Sequence, residues 1–332
     1  MKKILVLSLL LFGCSDETST RNEVLAEKVA TNLDTPWSIN LYEDTFYISE
    51  RVGTIAKINK NGKVEHQNVE LSSDLSRASE AGLLGFVLKK DFADSQKAFA
   101  YYTYDQDGEA FNRVVTIKLE DGTWRETTIH LSEIPTGNIH HGGRLEIGPD
   151  GFLYVTIGDA GNPDNAQDIR TLNGKILRMK EDGTFEVFSI GHRNPQGLAW
   201  DKDGILYESE HGQFANDEIN QITQGSNYGY PIIQGKETKE GLETPIITSG
   251  DNETWAPSGI AFHKGKLYVV TLRGEAVKVM DVSTGEVERS ITGFGRVRDV
   301  YSDGESLYFI TNNTDGRGTP KADDDVLYKL KE

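Results

Sequence analysis

The chain has 332 residues and a formal net charge of −17, which argues against a nucleic-acid partner, whose phosphates need a basic face, and against attraction to an anionic membrane surface. Its 34 glycines, frequent aromatic and β-branched residues and scarcity of uninterrupted 3.6-residue apolar periods exclude a mainly helical protein. The single cysteine, Cys14, excludes an intrachain disulfide.

Met1-Lys2-Lys3 is basic, and Ile4 to Phe12 is apolar. That run is shorter than the about 18 residues of a membrane span and reads as the apolar core of a signal peptide. The order Leu11-Phe12-Gly13-Cys14 resembles a bacterial lipobox, with Phe12 bulkier than the usual residue. The expectation is a signal peptide over residues 1–13, lipidation at Cys14 and a flexible tether over 14–23. The product is an exported lipoprotein of the cell envelope, facing the periplasm or the cell exterior and touching the membrane only through its anchor. The alternative is an ordinary secretory signal with an incidental cysteine.

From Val24 one pattern recurs: a short apolar strand, a turn with Asp or Gly, a strand rich in aromatics, a loop, and a third strand ending near Lys or Arg. The first copy is Pro36–Ile39, Thr45–Ile48 and Thr54–Ile58. The second is Gly82–Val87, Ala98–Tyr102 and Asn112–Ile117. The third is Gly143–Ile147, Phe152–Val155 and Gly174–Met179. The fourth is Gln196–Trp200, Ile205–Tyr207 and Asp217–Ile222. The fifth is Ser258–Phe262, Lys266–Val270 and Ala276–Met280, and the sixth is Val297–Tyr301, Ser306–Ile310 and Asp325–Leu330. Units of roughly 40–60 residues with about four strands each predict an all-β fold, a six-bladed β-propeller. Val24–Ala30 is a spare strand, expected to pair with the last blade and close the ring, which removes an open sheet edge. One propeller domain is expected over residues 24–332.

Polar, glycine-punctuated loops cluster between Asn138 and Pro231. They are Ile139-His140-His141-Gly142-Gly143-Arg144, Gly191-His192-Arg193-Asn194-Pro195-Gln196-Gly197, Glu210-His211-Gly212-Gln213 with Asp217-Glu218 behind it, and Asn227-Tyr228-Gly229-Tyr230-Pro231. Loops on a rigid β scaffold are where sites are built. His140 precedes a Gly-Gly-Arg turn into an inner strand; its imidazole suits either a general base or a hydrogen-bonded turn. The spacing of His140, His192 and His211 fits no common zinc pattern. Arg193, Arg273, Arg296 and Arg298 stand at loop ends of the same face, where arginine forks match carboxylates; the alternative is solvated surface arginines. The Gly212-Gln213 carbonyls beside Asp217-Glu218 are hard oxygen donors of the calcium kind, though without EF-hand spacing.

Together these motifs, with Gly82-Leu83-Leu84-Gly85, Gly158-Asp159 and Arg296-Val297-Arg298-Asp299, resemble the soluble aldose and glucose sugar dehydrogenases that depend on pyrroloquinoline quinone (PQQ), a family of six-bladed propellers. The resemblance spans essentially the whole mature chain. It implies oxidation of the C1 hydroxyl of an aldose to a lactone, with His140 as the base, PQQ as hydride acceptor and Ca2+ as the polarising ion. It implies cofactor contacts at Glu80, Arg193, Asn194, Arg273, Arg296, Arg298 and Asn312. Carbonyls of Gly212 and Gln213 match ligands of the catalytic Ca2+, and Glu218 and Tyr228 match ligands of a second, structural Ca2+. The implied partners are a sugar and an electron acceptor, a quinone or a cytochrome. Gln213 replaces a usual proline, Arg273 a lysine, Asn312 an aspartate and Glu80 a glutamine; Ile139 replaces an acidic neighbour of the base, which predicts a less firmly oriented His140. Two other functions fit this fold: a calcium-dependent lactonase, which needs carboxylates converging on an axial metal, and a lipid-anchored binding propeller without catalysis.

Overall fold

The computed structural model describes residues 25–331; the expected signal peptide, Cys14 and the whole tether lie outside them. Among the described residues, 24 strands form five hydrogen-bonded sheets. The chain runs β1 (Ala26–Ala30), then β2 (Pro36–Tyr42), β3 (Thr45–Glu50), β4 (Thr54–Ile58) and β5 (Val64–Glu70). Next come β6 (Leu83–Leu88), β7 (Lys97–Gln106), β8 (Glu109–Glu120) and β9 (Thr123–Thr136), then β10 (Gly142–Ile147), β11 (Leu153–Ile157), β12 (Lys175–Met179) and β13 (Phe185–Ile190). They are followed by β14 (Pro195–Trp200), β15 (Leu206–Glu210), β16 (Glu218–Ile222) and β17 (Ile247–Thr248). Last are β18 (Pro257–His263), β19 (Lys266–Thr271), β20 (Ala276–Asp281), β21 (Glu286–Thr292), β22 (Val297–Ser302), β23 (Leu307–Thr311) and β24 (Leu327–Leu330).

Three sheets are antiparallel meanders of consecutive strands, β10–β13, β14–β17 and β18–β21. Two further meanders, β2–β5 and β6–β9, join through a short parallel pairing of Val69-Glu70 with Trp124-Arg125. In the last sheet, β22-β23-β24 is completed by β1, antiparallel to β24 with Ala26 opposite Leu330. The expected pairing of the N-terminal strand with the C-terminal set is therefore present, and it ties the two ends of the chain together. The outermost strands β5, β9, β13, β17 and β21 were not anticipated. In β21 the reason is plain: Ile291 is its one buried residue, so it lacks the apolar period that marks a strand.

The first strand of each meander lies against the first strand of the next: β2 beside β6, β6 beside β10, and so on through β14, β18 and β22 back to β2. Glycine permits this approach. A Cβ on Gly85 would sit 2.1 Å from the Gly143 carbonyl oxygen, and one on Gly197 2.4 Å from that of Ser258. Apolar clusters fill the space between neighbouring sheets, such as Tyr47 and Ile55 with Phe86, Tyr102 and Trp124, or Ile39 and Ile48 with Ile310 and Leu327. Each meander thus buries its faces only against its neighbours.

All six inner strands share one irregularity. Their pairing with the next strand slips near the start: between Pro36 and Ile39, Leu83 and Phe86, Gly142 and Leu145, Pro195 and Gly197, Pro257 and Ile260, and Val297 and Asp299. A bulge re-aims the side chains within it. Here those residues include Trp37, Arg144, Gln196, Ser258 and Arg298, which meet along the axis. Arg298 Nη1 donates to Gln196 Oε1 at 2.8 Å, and Arg144 donates from Nε to the Gln196 carbonyl at 2.8 Å and from Nη1 to Ser38 Oγ at 3.1 Å. The Arg144 guanidinium pairs with Asp299 at 3.1 Å and lies 4.4 Å from the Trp37 ring centroid.

Candidate active site

At the end of the ring where the six slips lie, two adjoining cavities open. The mouth, about 180 Å³, is bordered by His140, Arg193, Gly212, Gln213, Arg273 and Arg296. A narrower shaft of about 30 Å³ continues past Trp37, His141, Gln196 and Arg298. Glu80, His211, Leu272 and Arg317 border both.

His140 is held in an unusual backbone conformation, with φ of 62°. Its N–H donates to Glu80 Oε2 at 3.0 Å, and its carbonyl accepts from the Ala160 N–H at 3.4 Å. The neighbouring glycine at 158 leaves no alternative, because a Cβ there would lie 1.9 Å from the His140 carbonyl oxygen. Left-handed non-glycine residues cluster at functional sites. The imidazole Nδ1 lies 2.7 Å from Asp159 Oδ1, which fixes the ring and leaves Nε2 as the free nitrogen. This corrects the expectation of a loosely oriented base: Asp159, 19 residues downstream, does what the acidic neighbour at 139 would have done. The Gly158-Asp159 pair was visible in the sequence, but nothing in its spacing reveals that it reaches His140.

The other histidines are placed differently. His141 is buried, its Nδ1 bonded to Thr136 Oγ1 at 2.8 Å, and burial pulls it down to about 4, with Glu80 opposing. His211 is likewise lowered to about 4 by burial, against the pull of Asp217 and Glu80. Both are neutral at ordinary pH. His192 is fully buried behind the mouth and does not border it.

The four arginines singled out in the sequence border the two cavities in different states. Arg193 donates from Nη1 to the His211 carbonyl at 3.1 Å, and its buried Nε has no partner. The Nε of Arg298 is also buried and unpartnered, and burial lowers that guanidinium to about 9. Arg273 is exposed at the rim. Arg296 is committed to Asp315 Oδ2 at 2.7 Å and to the Leu272 carbonyl at 3.2 Å. The slip at β22 separates Arg296 at the mouth from Arg298 in the shaft.

Carboxylates are present but each is engaged. Burial works against the Glu80 carboxylate, yet the His140 N–H and Arg317, 2.8 Å away, bring it down to about 2. Asp217 accepts the N–H groups of Gly212 at 2.9 Å, Trp255 at 2.5 Å and Ala256 at 2.9 Å. It therefore clamps two loops while bordering the mouth. No hydrogen bond among the described residues occupies the Gly212 or Gln213 carbonyl. Asn194 and Asn312 do not border the cavities: Asn194 Oδ1 accepts from the Gly142 N–H at 3.1 Å, and Asn312 Nδ2 donates to Asp315 at 3.0 Å. Glu218 and Tyr228 stand behind the mouth, Glu218 accepting the Gly235 N–H at 2.8 Å and Tyr228 stacked on His192 with centroids 5.0 Å apart. Asp315 and Arg317 are not among the residues that the sequence points to, because the reach of Arg317 to Glu80, 237 positions away, leaves no local signal.

The chain matches the glucose/sorbosone dehydrogenase family model over residues 33–327. It is 30% identical to an aldose sugar dehydrogenase of Escherichia coli over 89% of this chain and 90% of that one. It is 31% identical to quinoprotein glucose dehydrogenase B of Acinetobacter calcoaceticus, over 68% of this chain and 56% of the relative. A PQQ-bound aldose sugar dehydrogenase from Streptomyces coelicolor superposes with a TM-score of 0.85 at 35% identity, covering 92% of this chain and 96% of that one.

Proposed function

Because the chain belongs to the glucose/sorbosone dehydrogenase family, we propose that it is a six-bladed propeller that oxidises the C1 hydroxyl of aldose sugars to lactones with PQQ and Ca2+. It is an oxidoreductase of the aldose and glucose dehydrogenase kind. The observation that carries the reading is the His140–Asp159 pair at 2.7 Å, opening on the cavity that Arg193 and Arg273 border.

The donors present fit a tricarboxylate quinone. Two buried arginine N–H groups, on Arg193 and Arg298, and the buried His211 Nε2 lack partners, and buried donors without acceptors are costly unless a ligand supplies them. In this reading Arg193, Arg298 and Arg273 grip carboxylates, and Glu80 and Arg296 border the cofactor. Asn194 and Asn312 support the loops that present it. The free carbonyls of Gly212 and Gln213 suit a Ca2+ ion, and Glu218 and Tyr228 a second, structural one. When bound, the quinone supplies the hydride acceptor and the cation a Lewis acid. His140 Nε2 takes the proton from the C1 hydroxyl, and the Asp159 carboxylate stabilises the imidazolium that forms. The substrate is an aldose and the electron acceptor a quinone or a cytochrome.

Adding PQQ and Ca2+ to the purified apoprotein should give a bound-quinone spectrum that a sugar bleaches to the reduced form. Chelation should abolish turnover, and Ca2+ should restore it. Binding without reduction would leave a binding propeller, and no binding would remove the cofactor reading. Residues 1–14 support an envelope lipoprotein: Cys14→Ala should release the protein from membranes with its melting temperature unchanged, since stable anchoring needs the acyl chains. A variant that still takes up a fatty-acid probe would refute the anchor.

A further inference from the structure

Behind the mouth, strands β15 and β16 hold a polar cluster that the mechanism above does not use. Glu208 stands opposite Asn220 and Glu210 opposite Glu218, so alternate residues share one face. His192 reaches the same point from the β13–β14 turn. Ligand atoms of His192, Glu208 and Glu210 lie within 4.8 Å of one another, and all three residues are buried. Asn220 Nδ2 sits among them, 3.1 Å from Glu208 Oε2 and 3.3 Å from Glu210 Oε1, with Glu218 Oε2 next at 3.4 Å.

Three observations point to a missing cation. No lysine or arginine side chain pairs with Glu208 or Glu210 among the described residues, and buried charges are paired or bound to metals. Glu208 Oε1 and Asn220 Oδ1, both on fully buried residues, have no hydrogen-bond partner. His192 Nδ1 faces Glu210 Oε1 at 3.2 Å, while its Nε2 meets Ser189 Oγ at 2.8 Å. When the proton sits on Nε2 and is donated to Ser189, the Nδ1 lone pair points into the carboxylate cluster, as a metal ligand's would. A hydroxyl or carbonyl on the distal nitrogen is the usual support of a metal-bound histidine.

We propose that His192 Nδ1, Glu208, Glu210 and the Asn220 side-chain oxygen form a buried structural site for a divalent transition cation of the Mn2+ or Zn2+ kind. One imidazole among oxygen donors favours such ions over Ca2+. A half-turn of the Asn220 amide exchanges its nearly isosteric N and O atoms and presents Oδ1 where Nδ2 now faces the carboxylates. The site is separate from the carbonyls of Gly212 and Gln213 and adjoins the Glu218–Tyr228 pair, with Glu218 Oε2 3.4 Å from the same Asn220 Nδ2 and the Tyr228 ring stacked on His192. Its consequence is mechanical: Glu210 Oε2 also accepts the Arg193 N–H at 2.5 Å, so the ion fastens the turn that carries Arg193 to the strand leading into His211 and Gly212.

The test uses the full chain, stripped with a chelator, reloaded with Mn2+ and washed. About one Mn2+ per chain should resist washing, and stripping should lower the melting temperature. Anomalous scattering at the manganese edge should place the ion at His192 Nδ1. Glu208→Gln should lose the ion. Ser189→Ala, a small change that keeps the test informative if Glu208→Gln misfolds, should weaken Mn2+ binding about 10–100-fold. The proposal is overturned if neither Mn2+ nor Zn2+ is retained, or if the ion is held only by the Gly212 and Gln213 carbonyls or only by Glu218 and Tyr228, without His192 Nδ1, Glu208 and Glu210. It is equally overturned if Ser189→Ala leaves the affinity unchanged.

Discussion

His140→Ala is expected to lower kcat by about 10²–10⁴-fold, the usual contribution of a general base, while PQQ affinity stays near that of the unaltered protein. The imidazole is tied to Asp159 through Nδ1 at 2.7 Å, so the loss is that of a proton acceptor at Nε2 and not of an anchor for the cofactor. Asp159→Asn should cost less, since the base remains but its ring is no longer held in one tautomer. The double variant should be no worse than His140→Ala, because Asp159 acts through His140 and effects within such a unit are not additive. The ascending limb of the pH–rate profile should vanish in His140→Ala. Neither His141 nor His211 can produce that limb near neutrality, because burial holds both to about 4. Steady-state kinetics with a quinone titration separates the outcomes: a silent His140→Ala with a crippled His141→Ala would assign the base to the wrong histidine, and two silent variants would remove the mechanism.

Arg144→Ala is expected to destabilise the fold by about 3–5 kcal/mol, the cost of leaving a buried charge without its partner. That is a large share of a stability of about 5–15 kcal/mol. Arg144 is 2% exposed and ties together the first, third, fourth and sixth inner strands through Ser38, the Gln196 carbonyl and Asp299. Burial already pushes the Asp299 carboxyl above the usual range, with Arg144 opposing it. Removing Arg144 raises it further. A folded-state value above the unfolded one means the native state binds more protons between the two, so stability falls as pH rises through that window. The deficit of Arg144→Ala should therefore shrink on acidification, and Arg144→Met with Asp299→Ala should recover part of it. Urea titrations at two pH values read both effects. A deficit independent of pH would mean that lost packing against Trp37, rather than the unpaired Asp299, explains the loss.

The architecture was largely legible in the chain. Pairs such as Thr45–Ile48 with Thr54–Ile58, and Lys266–Val270 with Ala276–Met280, carry the alternation of a strand packed on a neighbour, and the observed strands overlap them. The outer strands were not legible because one face meets solvent and their pairing rests on backbone bonds that any side chain permits, as in β21. The inner-strand slips were not legible either. A slip adds one unpaired residue without changing composition, yet it turns Gln196 and Arg298 toward a common axis.

By itself the sequence determined the all-β class, the repeated unit, the spare first strand and the loops that carry the site. These follow from local periodicity and from glycines whose neighbours leave no room for a Cβ, as at Gly158 and Gly197. Only the tertiary structure decided which charges meet. It put Asp159 on His140, Arg317 on Glu80, Asp315 on Arg296, and His192 among Glu208, Glu210 and Asn220. The physical reason is range. Backbone periodicity is set by residues two to four positions apart, whereas an ion pair needs only a few ångströms of space and is indifferent to the 237 positions that separate Glu80 from Arg317 along the chain.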